Sequence, residues 1–403
     1  MLPRVKINFA NGALGSVVPS ADCVAGLLAT AVAVSDTFVL GNAYLLHKLA
    51  DLASLDVTAT NNACLYKHVQ EFYDEAGEGA ELWIMGVPNT VKPSEMADKD
   101  NALVPYAKNL IQLANGRLRF LGIAYEPAAN YEATITDGLD ADIWAAALKA
   151  QALSEWATDS LYAPLFVILA GRGFTNANIP SLKDLTTFNY NRVGILIGDT
   201  VTESESAAVG LLMGRIAACP VHRHIGRVKD GALSILKAYV GDKDPSIANV
   251  ETIHNKGYIS FRTFTGKSGY FFTDDCLATA VSDDYRSIAR RRTIDKAFRI
   301  IYQTMLENVN DEIPITDEGY LVPSMVKSWE SEIIASISIE MTANGELGVD
   351  TSNPDDTGVK AYINPEQKVA STSKINVVAQ VKPYGYAKYI DVELGFVTIN
   401  SED

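Results

Sequence analysis

A chain of 403 residues, 48% apolar and 21% charged, is long enough for two or three domains with cores of their own and has an ordinary soluble composition. Its formal charge of −15 argues against nucleic acid as the main partner, since phosphate binding calls for positive faces, and suits a protein kept soluble at high concentration. No apolar run approaches the roughly 18 residues of a bilayer span, and the N-terminus MLPRVKINFANG lacks the apolar core of a secretory signal, so a cytoplasmic protein is expected.

At the N-terminus Val5, Ile7 and Phe9 alternate with Lys6 and Asn8, the period-2 pattern of a half-buried strand. A stretch containing Asn11, Gly12, Gly15 and Pro19 separates it from a body that starts near Asp22. From there to about residue 225, strands are predicted over 24–31, 82–87, 118–124, 165–170 and 193–197. Helices are predicted over 43–52, 65–76, 102–114, 141–157 and 206–217. Strands separated by helices of this length imply a largely parallel sheet with helices on its faces. The unit at 62–88 shows the pattern well: an amphipathic helix (Leu65, Val69, Phe72, Tyr73) stops at Gly77 and Gly79, and a strand ending at Pro88 follows. Its turn is acidic (Glu75, Glu78, Glu81) and carries no group suited to chemistry.

A second region begins near Gly226. A helix is predicted over 283–306 with Ile294, Phe298, Ile301 and Met305 inward and Ala297 beside them, and another over 323–341 with Val326, Trp329, Ile333 and Ile337 inward. The turn-rich NPDDTG at 353–358 leads into β structure. Ile375, Val377, Ala379 and Val381 alternate, Pro383 and Gly385 turn the chain, and Ile390, Val392, Leu394 and Phe396 alternate again with Asp391, Glu393 and Gly395. Both chain ends therefore read as amphipathic strands. They either pair within their own domain or add to a neighbouring subunit.

The chemistry motifs are incomplete. Gly171-Arg172-Gly173 follows a strand, but Asn176 stands where GxGxxG needs its third glycine, which leaves a tight turn. Thr265-Gly266-Lys267-Ser268 matches the end of a P-loop, but Phe261 stands at its leading glycine. Cys219, His222 and His224 in CPVHRH lack a second pair of ligands and read as a turn after a helix. The four cysteines, which include Cys23, Cys64 and Cys276, are scattered without CxxC, the usage of reduced thiols. The acidic pairs Asp274/Asp275, Asp283/Asp284 and Asp355/Asp356 read as solvated loop residues. No catalytic residue, cofactor or metal is implied. One basic cluster stands out, Arg286, Arg290, Arg291, Arg292, Lys296 and Arg299. Arg292, Lys296 and Arg299 share a helix face, either as a solvated stripe with local pairs from Asp295 or, with Arg290, as a docking surface. On the docking alternative, reversing the three to glutamate should spare folding and abolish assembly.

These residues resemble the contractile tail sheath proteins of phages and contractile injection particles. The likeness is carried by the helix-glycine-strand unit at 62–88 after VAGLLATAVA, by ISFRTFTGKSGYFFTDDCLATAVSDDYRSIARRRTIDKAF with its Arg262-Thr263 and Arg290–Arg292, and by KINVVAQVKPYGYAKYIDVELGF. The chain departs from that family at Ser260-Phe261, where tryptophan-glycine often stands, and over 307–320. The resemblance implies an α/β (α+β overall) fold with four parts. These are an N-terminal extended arm over 1–20, a layered α/β outer domain over 21–225, a mixed α+β inner assembly domain over 226–385, and a C-terminal strand arm over 386–403. It implies a non-enzymatic sheath subunit that polymerises around a tail tube protein and contracts to drive the tube through a target envelope. Val5, Ile7, Phe9, Ile390, Val392, Leu394 and Phe396 would link subunits, and Arg290, Arg292, Lys296 and Arg299 would face the tube or a neighbour. Its partners would be further copies of itself, the tube, and baseplate and terminator proteins, with no direct contact to nucleic acid or membrane. It would be assembled in a bacterial cytoplasm as part of a phage tail or an injection particle. The alternatives are a doubly wound enzyme with a polar pocket at the strand C-termini, or a closed-ring structural protein that does not contract.

Overall fold

The computed structural model describes residues 21–396, so Val5, Ile7 and Phe9 lie outside the described residues. Six strands form the central sheet: β1 (Ala25–Thr30), β2 (Ala43–Leu46), β3 (Leu82–Val87), β4 (Phe120–Ala124), β5 (Phe166–Ala170) and β6 (Val193–Leu196). Their order is β2-β3-β1-β4-β5-β6, with every pair parallel except β2 against β3. Such strands are buried on both faces, and the near-continuous apolar runs AGLLAT, LWIMGV and FVILA are the sequence consequence.

Helices cover both faces. On one, α1 (Ala63–Ala76) and a later helix, α4 (Val209–Ala218), bury Leu65, Val69, Phe72, Leu211 and Met213 against Leu27, Phe120 and Ile168. On the other, α2 (Tyr106–Leu113) and α3 (Ala141–Leu161) bury Leu110, Ile111, Ile143 and Ala146 against Leu28, Leu121 and Val167. Two glycines let α1 and α4 approach closely. A Cβ on Gly210 would stand 2.1 Å from the His68 carbonyl oxygen, and one on Gly214 2.5 Å from that of Phe72.

One element differs from expectation. Residues 43–52, read as a helix, form the edge strand β2 followed by a 3-10 turn over Leu49–Leu55. Tyr44 pairs with Ile84 and Leu45 with Trp83. The open edge of β3 offers a row of backbone partners to this short apolar run, and that pairing outweighs its weak helical periodicity.

Beyond the sheet, β7 (Phe261–Phe264) and β8 (Lys267–Phe272) form a hairpin. Helix α5 (Ile288–Leu306), helix α6 (Pro323–Ile337) and a two-stranded ribbon of β9 (Val359–Ile363) and β10 (Val377–Val381) then enclose a smaller core. That core contains Ala297, Ile300, Ile333, Ile337, Met341, Leu347 and Val359. Val326, Ile333 and Ile337 of α6 face inward as predicted, with Trp329 packed alongside. On α5, Ala297 is buried and Ile301 and Met305 pack against the core as predicted, but the first half of the helix differs. Ile294 and Phe298 are only half-buried, while Arg291, Arg292, Asp295 and Lys296 are buried. No described helix is long and apolar enough to cross a membrane.

Candidate functional site at the C-terminal arm

After β10 the chain turns at Pro383 and runs along the body. The Gly348 N–H donates to the Lys382 carbonyl (2.9 Å), the Tyr384 hydroxyl donates to the Gly345 carbonyl (3.1 Å), and the Tyr386 hydroxyl donates to the His222 carbonyl (2.5 Å). The Tyr384 ring packs on His222 and the Tyr386 ring on His224, at centroid distances of 5.1 and 5.7 Å. Two residues further, the Lys388 ammonium donates to Asp274 Oδ1 (2.5 Å) and lies 3.8 Å from Asp275 Oδ1. Residues 384, 386 and 388 thus meet the body in turn. They border a groove of about 760 Å³ that His222, His254, Arg262 and Phe264 also line. Ile390 reaches the edge of that groove, Val392, Leu394 and Phe396 continue the same parity beyond it, and each of the four is at least 76% exposed. They lie in no regular strand in the single chain.

The sequence placed Asp274 and Asp275 in solvated loops. The structure corrects this, since the pair is 3% and 0% exposed. They follow the buried Phe271-Phe272 and precede Cys276-Leu277, so the flanking apolar residues carry them inward, and the flanks were the available signal. Asp274 Oδ1 also takes the His224 Nε2 proton (2.8 Å) and the Asp275 N–H (2.8 Å). Burial penalises the Asp274 charge, but His224 and Lys388 overcome it and hold this carboxyl well below the usual range. Lys388 shows the mirror image. Burial opposes its charge, and Asp275 and Asp274 hold its pKa above the ordinary value. Asp275 Oδ2 accepts from the Ser287 hydroxyl and the Ala289 N–H (3.1 Å), so Asp275 caps the N-terminus of α5.

His224, Asp274 and Asp275 offer three ligand atoms within 4.8 Å of one another, close enough for a metal ion. The hydrogen bonds argue against one. The Gly226 N–H donates to His224 Nδ1 (3.0 Å), which leaves the ring proton on Nε2, the nitrogen a metal would need. The two carboxylates favour a second ring proton and push the His224 pKa up to about 9, against burial. The Gly226 N–H already occupies the only nitrogen that could take that proton, and holds the ring in its neutral tautomer. The cation this cluster holds is the lysine.

The remaining motifs resolve as scaffold. Gly171-Arg172-Gly173 is a turn after β5, with φ of 73° at Gly173, and Arg172 pairs with Glu205 (2.7 Å) between the Tyr125 and Tyr131 rings. Thr265-Gly266 is the tip of the β7–β8 hairpin, with φ of 80° at Gly266. Cys219 is buried at the end of α4, while His222 and His224 go separately to Tyr384 and Asp274. Beyond the C-terminal end of β6 lies a cluster of paired polar side chains, with one oxygen of the buried Glu71 carboxylate left without a hydrogen bond. Lys67 pairs with Asp199 (2.5 Å), Thr200 donates to Glu71 (2.6 Å) and Ser204 to Asp199 (2.5 Å).

The basic stripe is also corrected. Arg292, Lys296 and Arg299 do share a face, but it points into the molecule. Lys296 lies 2.6 Å from Asp22 and 2.7 Å from Glu346, and Arg299 lies 2.6 Å from Asp22. Arg292 donates to the Cys219 carbonyl (3.0 Å) at the end of α4. Asp295 pairs with Arg291 (2.9 Å), and with Arg192 (3.0 Å) at the start of β6. Arg290 is half-buried. Glutamates at 292, 296 and 299 would oppose Asp22 and Glu346 at contact distance and disturb folding itself.

Residues 2–276 match the profile of the DUF2586 N-terminal domain, and residues 284–401 that of the DUF2586 C-terminal domain. No curated protein matches the chain. Its fold is shared with solved structures along nearly its whole length. A chain of the anti-feeding prophage baseplate aligns with a TM-score of 0.62 at 15% identity, covering 99% of each chain. The contracted helical sheath of the same particle gives 0.62 at 14%, covering 98% of this chain and 99% of that one. The contracted PVC sheath complex of an extracellular contractile injection system gives 0.58 at 14%, covering 98% and 97%.

Proposed function

The chain belongs to the DUF2586 family, and from that membership, together with a fold shared with contractile sheath chains, we propose that it is a structural, non-enzymatic subunit of a contractile tail sheath. Many copies stack around a tail tube protein in the bacterial cytoplasm and dock on a baseplate. A change of packing between copies drives the tube through a target envelope. Residues 1–20 and 386–403 act as arms, 226–385 as the inner assembly domain and 21–225 as the outer domain.

The observation that carries this reading is the amphipathic segment 390–396. Four apolar side chains at alternate positions along one short segment stand in solvent. Full burial stabilises each by about 1.5–3 kcal/mol, and a strand added to a neighbour buries such a face while pairing its backbone. A fitting acceptor is the β9–β10 ribbon of a second copy. Among the described residues it has two strands only, with Tyr362 and Val378 exposed, so its outer edges carry backbone groups that a third strand can pair with.

Electron microscopy of the purified chain, alone and with a candidate tube protein, tests the reading. Hollow tubes or stacked rings are the expected outcome, lost on deletion of 390–403 with the circular dichroism unchanged. Particles that stay small with the tube protein present would overturn it.

A further inference from the structure

We propose that His224, Asp274 and Asp275 form a socket that fixes the root of the C-terminal arm to its own subunit. Lys388 is the peg, and only the chain from Tyr389 onward is free to reach a second copy. This deepens the strand-addition reading and rests on it.

The boundary is sharp in both contact and charge. Among the described residues Lys388 is the last of the arm with a polar partner on the body, and Tyr389 is already 79% exposed. Lys388 is also the last basic residue of the chain. Within 389–403 the charged side chains are Asp391, Glu393, Glu402 and Asp403, all acidic and none suited to an acidic socket. The socket is rigid. Asp274 is held by His224 and by the Asp275 N–H, and Asp275 by the first turn of α5. An ammonium binding there meets carboxylates already oriented, so little ordering opposes the contact.

The peg sets the slack of the arm. From Lys388 to Ile390 is two residues, at most about 7 Å of extended chain. With the peg gone, the leash starts at Tyr386, four residues from Ile390, or at Lys382, eight residues away, for a reach of about 13 to 26 Å. Effective concentration at the acceptor falls roughly as the −3/2 power of leash length, a loss of about 3- to 8-fold. A short leash also requires the accepting edge of the neighbour to pass beside this socket. That fixes how two copies are placed before any strand is paired.

Lys388→Gln tests the proposal at an exposed position, with the circular dichroism and melting temperature of the variant compared with the parent's to separate loss of the contact from loss of the fold. In the unassembled chain, chymotryptic cleavage after Tyr386 should rise at least about tenfold, as expected for loss of a charge-assisted contact. The critical concentration for polymerisation should rise roughly 3- to 8-fold. Unchanged cleavage together with unchanged polymerisation overturns the socket. Mixing Lys388→Gln with Asp274→Asn distinguishes own-subunit from exchanged docking, because recovery of polymer on mixing would place the peg in a neighbour's socket and overturn the proposal. Deletion of 390–403 separates the two levels. If the deletion abolishes polymers while Lys388→Gln behaves as the parent in both assays, the socket fails and strand addition stands. If the deletion polymerises normally, strand addition fails, and the cleavage rate still reports on the socket.

Discussion

The Asp22 carboxylate lies 2.6 Å from the Lys296 ammonium, which joins the lead into the first strand to the middle of helix α5. Arg299 reaches the same carboxylate and Glu346 the same ammonium. Burial works against the Asp22 charge, but Lys296 and Arg299 overcome it and lower its pKa below 3.8. Burial instead pushes Glu346 up, despite its contact with Lys296.

Asp22→Asn should therefore cost about 3 kcal/mol at neutral pH, the scale for removing one partner of a buried pair. Because the folded pKa is depressed, the stability Asp22 supplies is full above its unfolded value and is lost as pH falls through its folded one. Denaturation curves of parent and variant should run parallel above about pH 4 and converge below it. A gap that does not narrow as the pH falls below about 4 would refute the assignment.

Gly210→Ala should destabilise the protein by about 3 kcal/mol or more, although alanine is the better helix former. The added Cβ would meet the His68 backbone 2.1 Å away, and a carbonyl held in α1 cannot rotate aside as a side chain could. Thermal unfolding that is unchanged or raised would mean α1 and α4 are not so closely apposed.

Replacing Ile390, Val392, Leu394 and Phe396 together by serine should leave the melting temperature of the unassembled chain within about 1 °C of the parent, since exposed side chains contribute little to its core. Sedimentable polymer should disappear. A clear drop in melting temperature would show that the segment packs on its own subunit.

Arg292→Met should cost about 1–3 kcal/mol by leaving the Cys219 carbonyl at the end of α4 without its donor. Arg292→Lys should recover only part of the loss, because a single ammonium cannot span the Cys219 and Pro220 carbonyls as the guanidinium does. Equal stability of all three forms in urea would show the contact to be incidental.

The central sheet was legible because each parallel strand is an apolar run bounded by turns, a signal local to a few residues. Edge strand β2 was not, because it owes its conformation to β3, almost forty residues later. The stripe Arg292, Lys296, Arg299 was legible as a face, but its direction depends on Asp22, far back in the sequence. Asp274 and Asp275 were misread for the same reason. Two adjacent acids look solvated until His224 and Lys388, from two distant segments, close around them. The apolar parity of 390–396 was legible throughout, since it needs no partner to be seen.

Helix α5 holds the carboxylate of Asp275 at its first turn and that of Asp22 at its middle. Asp274, next to the first of these, grips Lys388 at the base of one arm, and Asp22 stands where the other chain end enters the body. A pull on either chain end is thus delivered to one rod about 28 Å long, at 1.5 Å for each of its 19 residues. Strain arising at the lead into β1 or around Lys388 therefore reaches the same helix.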